Sequence, residues 1–180
     1  LADTMLETLK TDPRTELHGT FVMAALSSLE LKQYDAVLKF ADLYLPLSKD
    51  AKQKHDTIAA RAIALCRLSK FADAMASLQT LVTDNPDDAQ TWTAVLTSAE
   101  AALEMNAASE AEQLFQMASK YEKNPAVKEA GQTGVAWSQF RVKKYPEAEA
   151  SFQRLVQDYP GSADAAEILF MMGRSVEEQG

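Results

Sequence analysis

Glycine and proline are scarce in this chain, six of each in 180 residues, so regular elements are expected to dominate over loops. Cysteine is nearly absent. Cys66 stands alone, which excludes an internal disulfide but does not fix the compartment, because a helical protein of this size needs no staples. No apolar run reaches the roughly 18 residues that would announce a membrane span. The opening Leu1-Ala2-Asp3-Thr4-Met5 lacks the charged head and apolar core of a signal peptide. With no initiator Met, the sequence is expected to be a fragment or a processed product. Positive charge is in deficit, 18 basic against 26 acidic residues for a formal net charge of −8. That balance opposes binding to nucleic acid or to an anionic membrane and favours solubility.

Histidine is limited to His18 and His55. They are spaced so as to occupy equivalent places in successive units, with Asp56 beside the second. A metal site needs three or four converging ligands, so both are read as exposed histidines at helix starts and no metal is expected. Cys66 shares an apolar helical face with Leu65 and reads as a small core hydrophobe. No histidine is placed to activate it as a nucleophile. Gly131-Gln132-Thr133-Gly134 is too short for a phosphate loop and lies within a helical segment, where it is expected to mark a soft first turn. The acidic groups Glu110-x-Glu112 and Asp84-x2-Asp87-Asp88 read as solvated faces and turns. Catalytic residues and cofactors are therefore expected to be absent, and the chain is not expected to be an enzyme.

What is present is apolar surface, 47% of residues, ordered in a repeat. Ala25, Ala62, Ala99 and Ala136 recur at an offset of 37, and one further step lands on Gly173. Tyr34, Phe71, Ala108 and Tyr145 hold the same offset, as do Val37, Ala74, Ala111 and Ala148. Two further columns are Ala41, Leu78, Phe115 and Phe152, and Tyr44, Leu81, Ala118 and Leu155. Chance supplies one such column in an alanine-rich chain, not five in one frame.

Each unit reads as two helices. Ile58, Ala62, Leu65 and Cys66 fall on one helical face, and after Ser69-Lys70 a second face follows at Phe71, Ala74, Leu78, Leu81 and Val82, stopped by Asn85-Pro86. Val135, Ala136 and Phe140, then Tyr145, Ala148, Phe152, Leu155 and Val156, repeat the scheme. Pro146 falls in a first turn that tolerates it, and Ser162 is a plausible N-cap for the next helix. The units run approximately 14–50, 51–87, 88–124 and 125–161, with half-units at 1–12 and 162–180, in one solenoid over 1–180. The leading half-unit is a helix over 1–10 closed by Asp12-Pro13. Ile168-Leu169-Phe170-Met171-Met172 is not a polar cap, so the array is expected to continue in the intact protein, and exposed Leu169 and Phe170 offer a route to self-association. The pair Met171-Met172 is read as core. Small residues let paired helices approach closely while large ones fill the space between them.

These motifs resemble the tetratricopeptide repeat, whose pattern runs Trp-x2-Leu-Gly-x2-Tyr, Ala-x3-Phe and Pro. Ala148-x3-Phe152 with Pro160, and Ala74-x3-Leu78 with Pro86, keep its close. Ala111-x3-Phe115 also fits, with Pro125 two residues late, and Leu169-x2-Met172-Gly173 resembles its opening. The first helices depart more: Phe21, Ile58, Val95 and Gln132 hold the Trp column, and Ser28, Leu65, Ala102 and Gln139 the Tyr column. The resemblance spans the chain, most strongly over 130–180 and least over 14–50. The stretch from Tyr145 to Pro160 is similar to repeats of bacterial envelope proteins, namely outer-membrane assembly lipoproteins, periplasmic cell-division coordinators and exopolysaccharide-secretion scaffolds. Cytoplasmic proteins carry this repeat type too.

The resemblance implies an all-α fold, a right-handed α-solenoid of about ten helices in stacked antiparallel pairs, whose first helices line a concave groove. Leu26, Ile63, Glu100 and Trp137 then face that groove, joined by Val22, Ala59, Leu96 and Thr133, with Arg67, Glu104 and Arg141 on its rim. The Lys, Asn and Arg with which co-chaperones of the family grip a C-terminal carboxylate are missing. An apolar groove suits an amphipathic helix or extended apolar peptide, anchored by Trp137. The implied function is a non-catalytic scaffold for a protein or peptide partner. The alternative is a spacer within a larger protein, with no partner of its own.

Overall fold

The computed structural model describes residues 18–180, with side chains from Gly19 onward. The half-unit expected over 1–12 and the side chain of His18 lie outside the described residues. Nine α-helices account for most of what is described: α1 (His18–Glu30), α2 (Tyr34–Tyr44), α3 (Ala51–Arg67), α4 (Phe71–Asp84), α5 (Ala89–Glu104), α6 (Ala108–Ala118), α7 (Pro125–Arg141), α8 (Tyr145–Asp158) and α9 (Ala165–Glu177). A short 3-10 turn at Leu45–Leu47 follows α2. The fold is all-helical and consistent with the tetratricopeptide-like architecture that the repeat columns imply.

Four of the five columns are buried, while Tyr34, Phe71 and Tyr145 of the remaining one are half-buried. Ala25, Ala62, Ala99 and Ala136 are each 0% exposed, and so are Val37, Ala74, Ala111 and Ala148. Ala41, Leu78, Phe115 and Phe152 are buried, as are Tyr44, Leu81, Ala118 and Leu155. The 37-residue offset persists because each column marks a place where a helix meets its neighbour, and the permitted side-chain volume there is fixed by that approach.

A second device keeps the same offset without showing as a hydrophobic column. Lys32, Ser69, Asn106 and Lys143 all adopt left-handed backbone, with φ of 57°, 58°, 60° and 61°. Each ends the first helix of a pair. After α3, the Lys70 N–H donates to the Leu65 carbonyl at 2.8 Å and the Ser69 N–H to that of Cys66 at 3.0 Å. The same two bonds recur after α1, α5 and α7, and together they satisfy the orphan carbonyls of the helix end. At the other terminus, Asp50 accepts the Gln53 N–H at 2.7 Å, Asp88 the Gln90 N–H at 2.8 Å, and Asn124 the Ala126 N–H at 3.1 Å. The helices α3, α5 and α7 are therefore capped by side chains at their starts.

The described residues fall into two compact units, the first ending at Pro86 and the second running Asp87–Gly180. In the first, α1 packs on α2 and α3, and α3 on α4. Phe21, Val22 and Tyr44 form one buried cluster, and Val37, Ala60 and Ala64 another. Arg61 on α3 joins its neighbours, donating from Nε to Asp42 Oδ1 at 2.9 Å and from Nη1 to Ser77 Oγ at 3.0 Å. In the second unit, α5 packs on α6 and α7, α6 on α7, α7 on α8, and α8 on α9. Its core gathers Ala136, Ala148, Phe152, Leu155, Ile168 and Met171.

Five local expectations need correction. Glu112, read as part of a solvated acidic face, is buried on α6 at 8% exposure. Gly131 and Gly134 are not a soft turn: both sit buried inside α7, where they let α6 approach closely. A Cβ on Gly131 would lie 2.8 Å from the Ala118 carbonyl carbon and 2.9 Å from the Phe115 carbonyl oxygen, and a Cβ on Gly134 would overlap the Phe115 ring. Pro125 does not close a helix but opens α7 behind its Asn124 cap, where a missing N–H costs nothing. Ser162 does not cap α9. Its Oγ accepts the Asp164 N–H at 3.3 Å in the preceding turn, and α9 starts at Ala165. His55 lies within α3 and is 5% exposed, with Nδ1 3.5 Å from Asp56 Oδ1. It is a packed residue rather than a solvated one.

Candidate functional site

In the second unit, α5, α7 and the turn before α9 enclose an open cavity of about 570 Å³. Helix α7 supplies one wall through Ala126, Glu129, Ala130, Thr133 and Trp137, which recur at steps of three and four and so share a face. Glu100 and Leu103 of α5 form the opposite wall. Phe115 of α6 reaches the cavity beside Gly134, and Gly161–Asp164 close its far side. The small residues along α7 leave the volume open. Trp137 is half-buried and meets Phe152 edge to face, with centroids 6.1 Å apart. Its position is therefore fixed by the α8 core while part of its ring stays available.

The electrostatics of this wall are one-sided. Glu100, Glu129 and Asp164 line the cavity, and no lysine or arginine does. Arg141 is exposed at the end of α7, with its Nη1 donating to the Leu103 carbonyl at 2.9 Å. It adds a charged donor to a carbonyl at the C-terminus of α5 that already accepts the Asn106 N–H at 3.0 Å. Three carboxylates elsewhere in the unit pair with lysine. Glu112, 8% exposed, accepts from Lys144 Nζ at 2.8 Å and from Gln139 Nε2 at 3.1 Å. This bond and the charge of Glu112 raise the Lys144 pKa above its ordinary value. Asp87 pairs with Lys123, and Glu122 with Lys128 at 2.8 Å.

The residues expected to form a groove are thus distributed. Glu100, Thr133 and Trp137 meet around one cavity, while Leu96, half-buried on α5, is not among its walls. Val22 is 4% exposed in the core with Phe21 and Tyr44, and Leu26 packs against that cluster. Ile63 and Arg67 are half-buried on α3, as is Ala59, and Glu104 is exposed at the end of α5. The sequence reading missed Ala126, Glu129, Ala130 and Leu103. Stepping back along α7 from Trp137 by threes and fours reaches the first three, and one turn beyond Glu100 reaches Leu103. The Gly161–Asp164 wall has no such signal, because it is a turn whose placement depends on how α9 packs.

Aromatic contacts also separate the two tryptophans. Trp92, 5% exposed, stacks on Tyr121 with centroids 4.3 Å apart and planes at 20°. A smaller cavity of about 180 Å³, lined by Gln116, Ser119, Gln132, Val135, Ser151, Arg154 and Leu155, lies among α6, α7 and α8. Among the described residues no three of His, Cys, Asp and Glu converge to hold a metal ion. No helix there is long and apolar enough to cross a membrane.

Comparison with known families finds a tetratricopeptide repeat over residues 134–162. That segment takes in the C-terminal half of α7 from Gly134, its left-handed turn at Lys143, all of α8, and Gly161 and Ser162 of the cavity wall. No curated protein matches the chain. Tetratricopeptide repeats are in general modules of protein–protein interaction and are generally non-catalytic.

Proposed function

Because this chain carries a tetratricopeptide repeat, we propose that it is a non-catalytic scaffold and that the second unit's cavity receives a segment of a partner protein. The carrying observation is the convergence of Trp137 with Glu100, Thr133 and Leu103 around an open volume of about 570 Å³. A rigid, half-buried tryptophan beside unfilled volume is the arrangement that anchors binding hot spots. The acidic walls disfavour nucleic acid.

Affinity capture from native extract, wild type against Trp137→Ala, tests this reading. Partner recovery is expected to fall for the variant while far-ultraviolet circular dichroism stays unchanged. Equal recovery by both forms removes Trp137 from the account. Recovery of nothing by either form favours a spacer within a longer protein.

The likeness of Tyr145–Pro160 to envelope-protein repeats supports placement in a bacterial cell-envelope assembly or secretion complex. Partners drawn from the cytoplasm alone would end that placement. Self-association is a second reading, favoured by Leu169 and Phe170 at 48% and 62% exposure on α9. Sedimentation over a concentration series, with Phe170→Ser as the control, decides it.

A further inference from the structure

The cavity's charge says more about its occupant than its shape does. Glu100, Glu129 and Asp164 line it and form no ion pair among the described residues. Three acids elsewhere in the unit are paired with lysine, Lys144 on Glu112, Lys123 on Asp87 and Lys128 on Glu122. Arg141 keeps its charge while donating to the Leu103 carbonyl, but it neither lines the cavity nor pairs with any of the three acids. Three unneutralised carboxylates around one concave volume raise the local concentration of cations and repel anions. The half-buried indole of Trp137 on the same wall offers a π face that attracts a cationic head group. Leu103 and Phe115 supply the apolar remainder.

Resting on the groove reading above, we infer that the occupant is a protein segment presenting a lysine or arginine flanked by apolar side chains. The cationic head lies among Glu100, Glu129 and Asp164, and the apolar neighbours cover Trp137 and Leu103. This is the inverse of a groove that grips a carboxylate.

The test uses the whole chain and two capped, fluorescently labelled peptides of equal length, one alternating leucine with lysine and one alternating leucine with glutamate. Binding is read by anisotropy. The lysine peptide is expected to bind at least about tenfold more tightly than the glutamate peptide, and more weakly as salt is raised, since the screening length shrinks from roughly 30 Å at 0.01 M to about 8 Å at 0.15 M. Glu100→Gln and Glu129→Gln are each expected to weaken it about two- to fivefold, the range of a solvent-accessible ion pair. Glu100→Gln/Glu129→Gln together should weaken it further, whereas Glu110→Gln/Glu147→Gln, which also removes two charges but away from the cavity, is expected to leave it unchanged. Glu100→Lys/Glu129→Lys should invert the preference between the peptides.

If the glutamate peptide binds equally well and loses binding on Trp137→Ala, the charge inference is overturned while the groove stands. If the control pair weakens the lysine peptide as much as the cavity pair does, the attraction is merely that of an acidic protein and the inference fails. If neither peptide binds, the inference also fails, and the Trp137→Ala capture comparison separately decides the groove.

Discussion

A single methyl group, added at three glycines of the second unit, should have opposite effects decided by what it meets. Gly131, Gly134 and Gly173 all lie inside helices. Helix propensity alone predicts that each Gly→Ala change stabilises by about 0.8–1.0 kcal/mol. At Gly173 nothing lies within 4 Å of the new Cβ, so this gain should appear in full. At Gly134 the methyl runs into the Phe115 ring, which is 4% exposed and gives way only by shifting into the cavity it lines. At Gly131 it meets the backbone of Ala118 and Ser119, which moves only if α6 moves. Overpacking of this kind costs about 1–3 kcal/mol. Set against the propensity gain, the net expectation is a loss of up to about 2 kcal/mol, larger at Gly131 because backbone yields less than a ring. Urea unfolding monitored by circular dichroism reads the three midpoints. Gly173→Ala should move up, and Gly131→Ala and Gly134→Ala down. A rise for all three would mean that α6 and α7 do not approach as closely as the geometry requires, and the account of the glycines would be wrong.

The left-handed turns give a second expectation: Lys143→Gly should stabilise by about 0.5–1 kcal/mol, because a side chain at φ 61° is strained where glycine is not. A lowered thermal midpoint would contradict it. Phe152→Ala, at a fully buried position beside Trp137, should cost about 3–5 kcal/mol, measured in the same urea assay. Glu112→Ala should cost about 1–3 kcal/mol, since it strands the amide of Gln139 and removes the partner of Lys144. The Lys144 pKa is raised above 10.5 in the folded state by Glu112, so its small contribution is present below pH 10.5 and lost as pH climbs through the folded value. Lys144 is 47% exposed, and solvent screening holds that contribution under about 1 kcal/mol. Wild type should therefore lose slightly more stability than Lys144→Met on going from pH 9 to pH 11.5. Parallel losses would show that the pair is not linked to folding.

The core was legible because it repeats. Ala25, Ala62, Ala99 and Ala136 could be read in one frame, and each proves fully buried. The left-handed turns repeat with equal strictness, but Lys32, Ser69, Asn106 and Lys143 share a backbone conformation rather than a side-chain chemistry, so residue type hides them. His55 shows the opposite failure. A polar residue near the start of a helix reads as solvated, yet α3 begins four residues earlier and carries it inside. The glycines of α7 misled for a related reason. Glycine signals flexibility in a sequence unless the neighbour it admits is known, and here that neighbour is Phe115 from another helix. The groove was half legible: the position after each conserved-offset alanine gave Glu100 and Trp137, while the rim turn at Gly161–Asp164 depends on packing that no local pattern carries.

The packing and the proposed recognition depend on the same contact. Gly134 admits Phe115 to the inner side of α7, and Phe115 then lines the cavity that Trp137 and Glu100 flank. Displacing that ring should disturb binding as well as stability, whereas Gly131→Ala, whose clash lies against the backbone at the end of α6, should act chiefly on stability. The comparison is sharpest for the lysine–leucine peptide under conditions where both variants remain folded. Gly134→Ala should weaken its binding more than Gly131→Ala, despite being the less destabilised of the two. If affinity instead follows stability across the pair, the cavity is responding to general loosening of the unit, and Phe115 has no specific part in shaping the groove.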